Sequence, residues 1–435
     1  VYHRRYRAAV PRVLAAVAAA VLLASCSLSG SGSGDRPVTI TYWSWVSGAQ
    51  EMVDRFNETH DDIQVDFELI PAGTSGGYSK MFNAVRAGKA PDIVTVEYPQ
   101  LPTFVTQNVV QPITDFGVGD LADQYPEWTW RQVELGGEVY SLPKDIAPQV
   151  LFYRADLFDE YGLEPPATWE EFRATAEQLR AEHPDVALTT FPSNDAGMLS
   201  GLAWQGGAEW FDTSSGTWQV HTDDEAGLDV ARYWDEMIAE GLVINEPLYA
   251  EKHVTDLQQG RSLSLIGAPW SAANISRFVP ELAGTWGVVP LPSWDEPASG
   301  NYGGSTMALP EGAPNPEAAM EFARWVSTSP DAIAAAAPVS TAFPANTTLT
   351  ETWGQVTEEA NPYVEGMNLP EVARAAAATV DPSWEWGPSM AEGFSRLTDE
   401  TTALAGSPGG LVEALRRWQD STVDQLRQRG FDIRD

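Results

Sequence analysis

Two indoles flank a carboxylate in the proline-bounded run Pro382-Ser383-Trp384-Glu385-Trp386-Gly387-Pro388. If that run is extended, alternation turns the rings of Trp384 and Trp386 the same way, and at least one is expected on a binding surface. Trp204 precedes Gln205-Gly206-Gly207, whose glycines let backbone and ligand approach closely, and Trp270 sits just past the end of a predicted strand, after Gly267-Ala268-Pro269. Trp45, Tyr78 and Glu97 each fall at or just past the end of a predicted strand, Asp145 precedes another, and Gly303-Gly304 interrupts the chain just before a third. Flat rings beside acid groups suit one chemistry above others, the recognition of a pyranose. An aromatic face stacks on the sugar's apolar C–H patches, and carboxylates accept charge-assisted hydrogen bonds from its hydroxyls. Each candidate has a plainer alternative: an indole in the core, a ring packed on the surface, a solvated carboxylate, or a glycine pair serving only as a hinge. Trp169, Trp234, Trp325 and Trp418 lie on helical patterns and are expected in the core.

Composition narrows the field further. Seventeen tryptophans and thirteen tyrosines are the oddity of a chain whose formal net charge is −35. Such acidity makes nucleic acid and anionic membrane surfaces poor partners, since phosphate binding needs a basic patch. The five histidines have no H-E-x-x-H or H-x-x-x-H spacing and there is one cysteine, so neither a metal, a cofactor nor an internal disulfide is expected. No G-x-S-x-G, phosphate-binding loop or G-x-G-x-x-G marks a catalytic or nucleotide site.

The elements that must position these residues follow from periodicity. Val38 to Trp43 is a β-branched and aromatic strand; Ala49, Met52, Val53 and Phe56 share one helical face. Ile63, Val65, Phe67 and Leu69 alternate as a second strand, Met81 and Val85 mark a second helix, and Ile93 to Val96 is a third strand. That β-α-β-α-β order opens a sheet whose ligands bind beyond the carboxyl ends of its strands. Thr168-Trp169-Glu170-Glu171 is a capping box for a helix in a second lobe. At 435 residues there is room for two or three domains.

At the other end of the chain, Arg4, Arg5, Arg7 and Arg12 precede an apolar run from Val13 to Ala24. The run is shorter than the about 20 residues that span a bilayer but suits an export signal. Leu23-Ala24-Ser25-Cys26 resembles the lipobox of bacterial lipoproteins, which implies a signal peptide over 1–25, a lipidated Cys26 and a flexible tether over 26–35. The tether's Ser27 to Gly34 would reach roughly 15 Å. The expected location is the extracellular face of the cell membrane, held by lipid.

The order of the remaining pieces resembles the extracellular solute-binding proteins of ABC importers, in the carbohydrate-binding group similar to maltose-binding protein. Its markers are Tyr42-Trp43-Ser44-Trp45, Lys89-Ala90-Pro91-Asp92-Ile93, Leu151 to Phe158, Thr168 to Phe172, Gly267 to Trp270, Trp286 to Pro292 and Gly303-Gly304. They span essentially the whole chain after the tether. The resemblance implies an α/β, two-lobed periplasmic-binding-protein-like fold, each lobe a mostly parallel sheet flanked by helices, joined by hinge crossovers. Lobe one is expected over 36–112 plus 302–328 and lobe two over 113–301 plus 329–435. It also implies a stacking role for Trp270, and a non-catalytic monomer that binds a di- or oligosaccharide in its cleft and delivers it to permease subunits. Polyamine binding on the same fold, or a lipid-anchored glycoside hydrolase with two carboxylates set about 5.5 or 6.5–9.5 Å apart, are the alternatives.

Overall fold

The β-branched run at the start is a strand, Val38–Ser44, whose alternate residues Ile40, Tyr42 and Ser44 are buried. It pairs in parallel with Ile63–Leu69 and Ile93–Glu97. Helices Ala49–Thr59 and Gly77–Arg86 make the connections, the first burying Ala49, Met52, Val53 and Phe56 as its spacing requires. The computed structural model describes residues 37–213, 216–361 and 363–434. The expected signal peptide 1–25 and tether 26–35, with Cys26, lie outside the described residues.

From Val38 to the C-terminus the chain is one compact unit built on two large sheets. The six-stranded sheet runs Phe343–Pro344, Ser141–Ile146, Ser305–Ala308, Ile93–Glu97, Val38–Ser44, Ile63–Leu69. The five-stranded sheet runs Ile244–Asn245, Ala187–Phe191, Ser262–Gly267, Val150–Arg154, Trp286–Pro290. Helices flank both. The Trp169–Glu182 helix starts at its predicted N-cap: the Glu171 amide donates to Thr168 Oγ1 at 3.1 Å, while the Glu171 carboxylate reaches one residue past the cap, accepting from the Ala167 amide at 2.8 Å.

Both sheets are mixed rather than mostly parallel. Ser305–Ala308 is antiparallel to Ile93–Glu97 and to Ser141–Ile146, and Val150–Arg154 is antiparallel to both its neighbours. The cause is the crossover. A strand that returns directly from the other sheet begins at the edge where the β-α-β strands end, so it runs the opposite way. Sheet membership also moves the expected lobe limits, because Ser141–Ile146 and Phe343–Pro344 belong to the first sheet. The Ser-Leu-Pro-Lys-Asp-Ile stretch carries no alternation, since every one of its residues is buried in the sheet interior.

The chain first leaves the six-stranded sheet at Ala147 to Gln149 and returns through Ser299 to Gly304. These two segments are zipped together. The Ala147 amide donates to Asn301 Oδ1 at 2.8 Å, the Tyr302 amide to the Ala147 carbonyl at 2.7 Å and the Gln149 amide to the Gly300 carbonyl at 2.9 Å. A third passage follows helix Pro330–Ala336, which packs on Ala49–Thr59, and precedes helix Leu369–Ala377, which packs on Trp286–Pro290. Gly300 is the tightest point, because a Cβ there would lie 1.8 Å from the Gly201 carbonyl oxygen. Gly300→Ala is therefore expected to lower stability by about 2 kcal/mol or more. Gly119→Ala, where an added Cβ meets nothing within 4 Å, should stay within about 0.5 kcal/mol; urea denaturation of the two variants measures both.

Candidate functional site

Strands of both sheets end at one cavity of about 1120 Å³. Trp45 lies just past Val38–Ser44, Glu97 ends Ile93–Glu97, and Asp145 is the second-last residue of Ser141–Ile146. From the second sheet, Asn194 and Asp195 follow Ala187–Phe191, and Trp270 follows Ser262–Gly267. All six line the cavity, where the carboxyl-end rule for such sheets puts a ligand.

The side chains interlock by type. The Tyr78 hydroxyl donates to Glu97 Oε2 at 2.5 Å, and its ring meets Trp45 edge-to-face at 5.5 Å. Across the cleft the Tyr302 hydroxyl donates to Asp195 Oδ2 at 2.5 Å, while Asp195 Oδ1 caps helix Ala196–Gln205 by accepting from the Met198 amide at 2.9 Å. Trp270 Nε1 donates to the Tyr302 carbonyl at 3.1 Å, which holds the half-buried indole beside the Tyr302 ring at 5.1 Å. Asp145 accepts from the Ser305 amide at 3.0 Å and hydroxyl at 2.5 Å, and pairs with the buried Lys144 ammonium at 3.1 Å. Gly303 and Gly304 have φ of 97° and 85°, a region closed to most L-residues. At Gly304 a Cβ would also press on the Tyr98 ring at 2.9 Å.

Burial controls the electrostatics. It pushes the Glu97 carboxyl above its ordinary value of 4.5; the Tyr78 hydroxyl pulls it back, and the Asp145 and Asp195 carboxylates push it up again. Burial also raises Asp195, against the hydrogen bonds from Tyr302 and the Met198 and Gly197 amides. Lys144 is likewise opposed by burial, yet Asp145 keeps its ammonium more firmly protonated than usual.

Of the expected site residues, Trp45, Tyr78, Glu97, Asp145, Trp270, Gly303, Gly304 and Trp386 line the cavity, and Trp204 and Trp384 do not. Those two indoles are core, 2% and 5% exposed. They stack on each other at 5.0 Å with planes 7° apart, and Trp204 Nε1 donates to the Asp381 carbonyl at 3.0 Å. Trp384 and Trp386 do turn the same way, but inward. Their loop is irregular, not a strand, and both rings close on Trp204, so only the edge of the cluster at Trp386 reaches the cleft, its Nε1 bonded to Gln132 Oε1 at 2.7 Å. Asp195, Tyr302, Gln100, Asn274 and Arg86 line the cavity without having been singled out. Two carried a signal: Asp195 is a helix N-cap after Ser193-Asn194, and Tyr302 abuts the glycine pair. Among the described residues no three His, Cys, Asp or Glu side chains converge to hold a metal ion.

Comparison with known proteins agrees with this architecture. The family model for bacterial extracellular solute-binding proteins matches residues 42–333, and the chain belongs to that family. It is a binding protein and not an enzyme. An arabinooligosaccharide-binding protein of Bacillus subtilis (strain 168) is 21% identical, over 71% of this chain and 73% of its own. A lactose-binding protein of Rhizobium radiobacter is 24% identical, over 71% and 74%. Among solved structures, the ABC transporter associated binding protein of B. animalis subsp. lactis Bl-04 in complex with beta-1,6-galactobiose superposes with a TM-score of 0.80 at 24% identity, covering 92% of this chain and all of that one. The galacto-N-biose-/lacto-N-biose I-binding protein of the ABC transporter from Bifidobacterium longum does so with a TM-score of 0.80 at 23% identity, covering 92% and 99%. At those identities the superpositions show the two-lobed α/β fold.

The half-buried Glu97 makes a pH test of the site. Its folded pKa lies above its unfolded one, so it costs nothing below the unfolded value and destabilises the fold as pH rises through the folded value. Glu97→Gln keeps an acceptor for Tyr78 and removes that cost. Thermal melts should show the variant's Tm about equal to the parent's near pH 4 and about 2 °C or more above it at pH 7 to 8.

Proposed function

We propose that this protein binds a di- or oligosaccharide between its lobes outside the cell and hands it, unchanged, to the permease subunits of an ABC transporter. The observation that carries the reading is one cleft lined by Trp45, Tyr78, Trp270 and Trp386 together with Glu97 and Asp145. Rings and hydrogen-bonding carboxylates face the same space, the pairing that a pyranose requires. The volume of about 1120 Å³ exceeds the 300–1,000 Å³ of common small-molecule sites, which favours more than one sugar ring. Relatives named for arabinooligosaccharide and lactose binding support the same class.

In this reading the lobes turn about the zipped segments 147–149 and 299–304, and Gly303-Gly304 serves both as hinge and as cleft wall. A sugar touching Glu97 on one side and Trp270 on the other favours the closed form, because only a ligand with contacts to both lobes shifts that equilibrium. The protein works as a monomer on a lipid anchor at Cys26, with residues 1–25 removed as a signal peptide.

Calorimetry with neutral di- to tetrasaccharides is expected to find at least one binder at micromolar affinity or better, with no product formed; hydrolysis of a bound glycan, or binding of none, overturns the proposal. Trp270→Ala should weaken that binding about tenfold or more, whereas Trp204→Phe, in the core, should leave it within about threefold. Expression of the full chain in a bacterial host should put it in the membrane fraction, and Cys26→Ser should release it from that fraction.

A further inference from the structure

A neutral sugar leaves the charge of the cleft unbalanced. Of the five carboxylates that line it, Asp145 is paired with Lys144 at 3.1 Å, Glu392 with Arg429 at 2.7 Å, and Asp399 is exposed at the rim, where water screens it. Glu97 and Asp195 have no cationic partner among the described residues: Glu97 accepts from the Tyr78 phenol, and Asp195 from the Tyr302 phenol and the amide it caps. They stand on opposite walls, one closing a strand of the first sheet and the other beginning a helix beside the second. Among the described residues the one basic side chain in the lining is Arg86, which is exposed and donates to Gln107 at 3.1 Å rather than to a carboxylate.

An independent observation points the same way. Gln100 lines the cleft and is 1% exposed, and its Oε1 has no hydrogen-bond partner; Thr103, fully buried in the same wall, has an unpartnered Oγ1. A buried amide oxygen without a donor is costly unless something supplies one, while the Thr103 hydroxyl can take either role. The rings of Trp45, Tyr78, Trp270 and Tyr302 add faces that attract a cation. A cationic group that brings several N–H donors and no acceptor answers the charge deficit and the missing donor at Gln100, and an ammonium is such a group.

We propose that the carbohydrate this cleft selects carries a protonated amine, an amino sugar whose ammonium lodges between Glu97 and Asp195. This rests on the carbohydrate reading above and narrows it. The ammonium would replace a neutral hydroxyl donor with a charged one, so that both partners of the hydrogen bond are ionised at two half-buried acids, and by meeting one acid on each wall it would draw the lobes together.

The test is calorimetry on the full chain at neutral pH and low salt, with glucosamine β-1,4-disaccharide against cellobiose, and with each neutral sugar that binds in the wider panel against its amino counterpart. Spermidine serves as an amine without a sugar ring. The expected result is an amino sugar bound at least about tenfold tighter than its neutral counterpart. That ratio should fall to within about threefold in Glu97→Gln. Asp195→Asn, which keeps the helix cap, should lower it independently, with thermal melts confirming that both variants fold. If no amino sugar exceeds its neutral counterpart the inference is overturned, and the carbohydrate reading stands wherever a neutral sugar binds. If spermidine binds and no sugar does, both fall.

Discussion

The structure depends on how two backbone segments pass each other between the sheets. Ala147 to Gln149 leaves the six-stranded sheet against the returning Ser299 to Gly304, with main-chain hydrogen bonds between them and the Gly201 carbonyl pressed against Gly300. No side chain fits at that contact. Because the segments are bonded to each other, they act as one ribbon, and the strands on either side are anchored to it. Asp145 is the last carboxylate before the ribbon leaves, and Ser305, which donates to it twice, is the first residue after the ribbon returns. The hinge and one wall of the cleft are therefore built from the same few residues.

Around that ribbon the cleft is organised as two phenol–carboxylate pairs, Tyr78 with Glu97 and Tyr302 with Asp195, one from each wall. A phenol satisfies one lone pair of a buried carboxylate without neutralising its charge, so the acids remain available to a ligand while their ring partners present flat faces to it. Fixed donors and rings of this kind favour binding because little ordering is left to occur when a ligand arrives. Asp145 differs in being neutralised by Lys144, which makes it part of the wall more than a free acceptor.

Much of this was legible along the chain. Local rules that depend only on neighbours held: the helical face of Ala49, Met52, Val53 and Phe56, the Thr168 N-cap, and the strand ends that present Trp45, Glu97 and Trp270. Reasoning that needed the partner's position failed. The alternation of Trp384 and Trp386 was read correctly as a shared direction, yet the direction was inward, because Trp204 and Trp210 stand behind the loop. Ser141–Ile146 carries no strand-like alternation and is nonetheless an interior strand, since its Lys and Asp find each other and Ser305 inside the sheet.

By itself, then, the order of residues determined the class of fold, the strand ends that meet at the cleft and the chemical character of the surface lining it, because each of these follows from spacing over a few residues. Only the tertiary structure decided which tryptophans face solvent, which acids keep an unneutralised charge, and how the returning strands reverse the sheets. Those depend on groups far apart in the chain, such as Glu97 and Asp195 or Gly201 and Gly300, whose approach is set by how the two halves cross and by no local pattern.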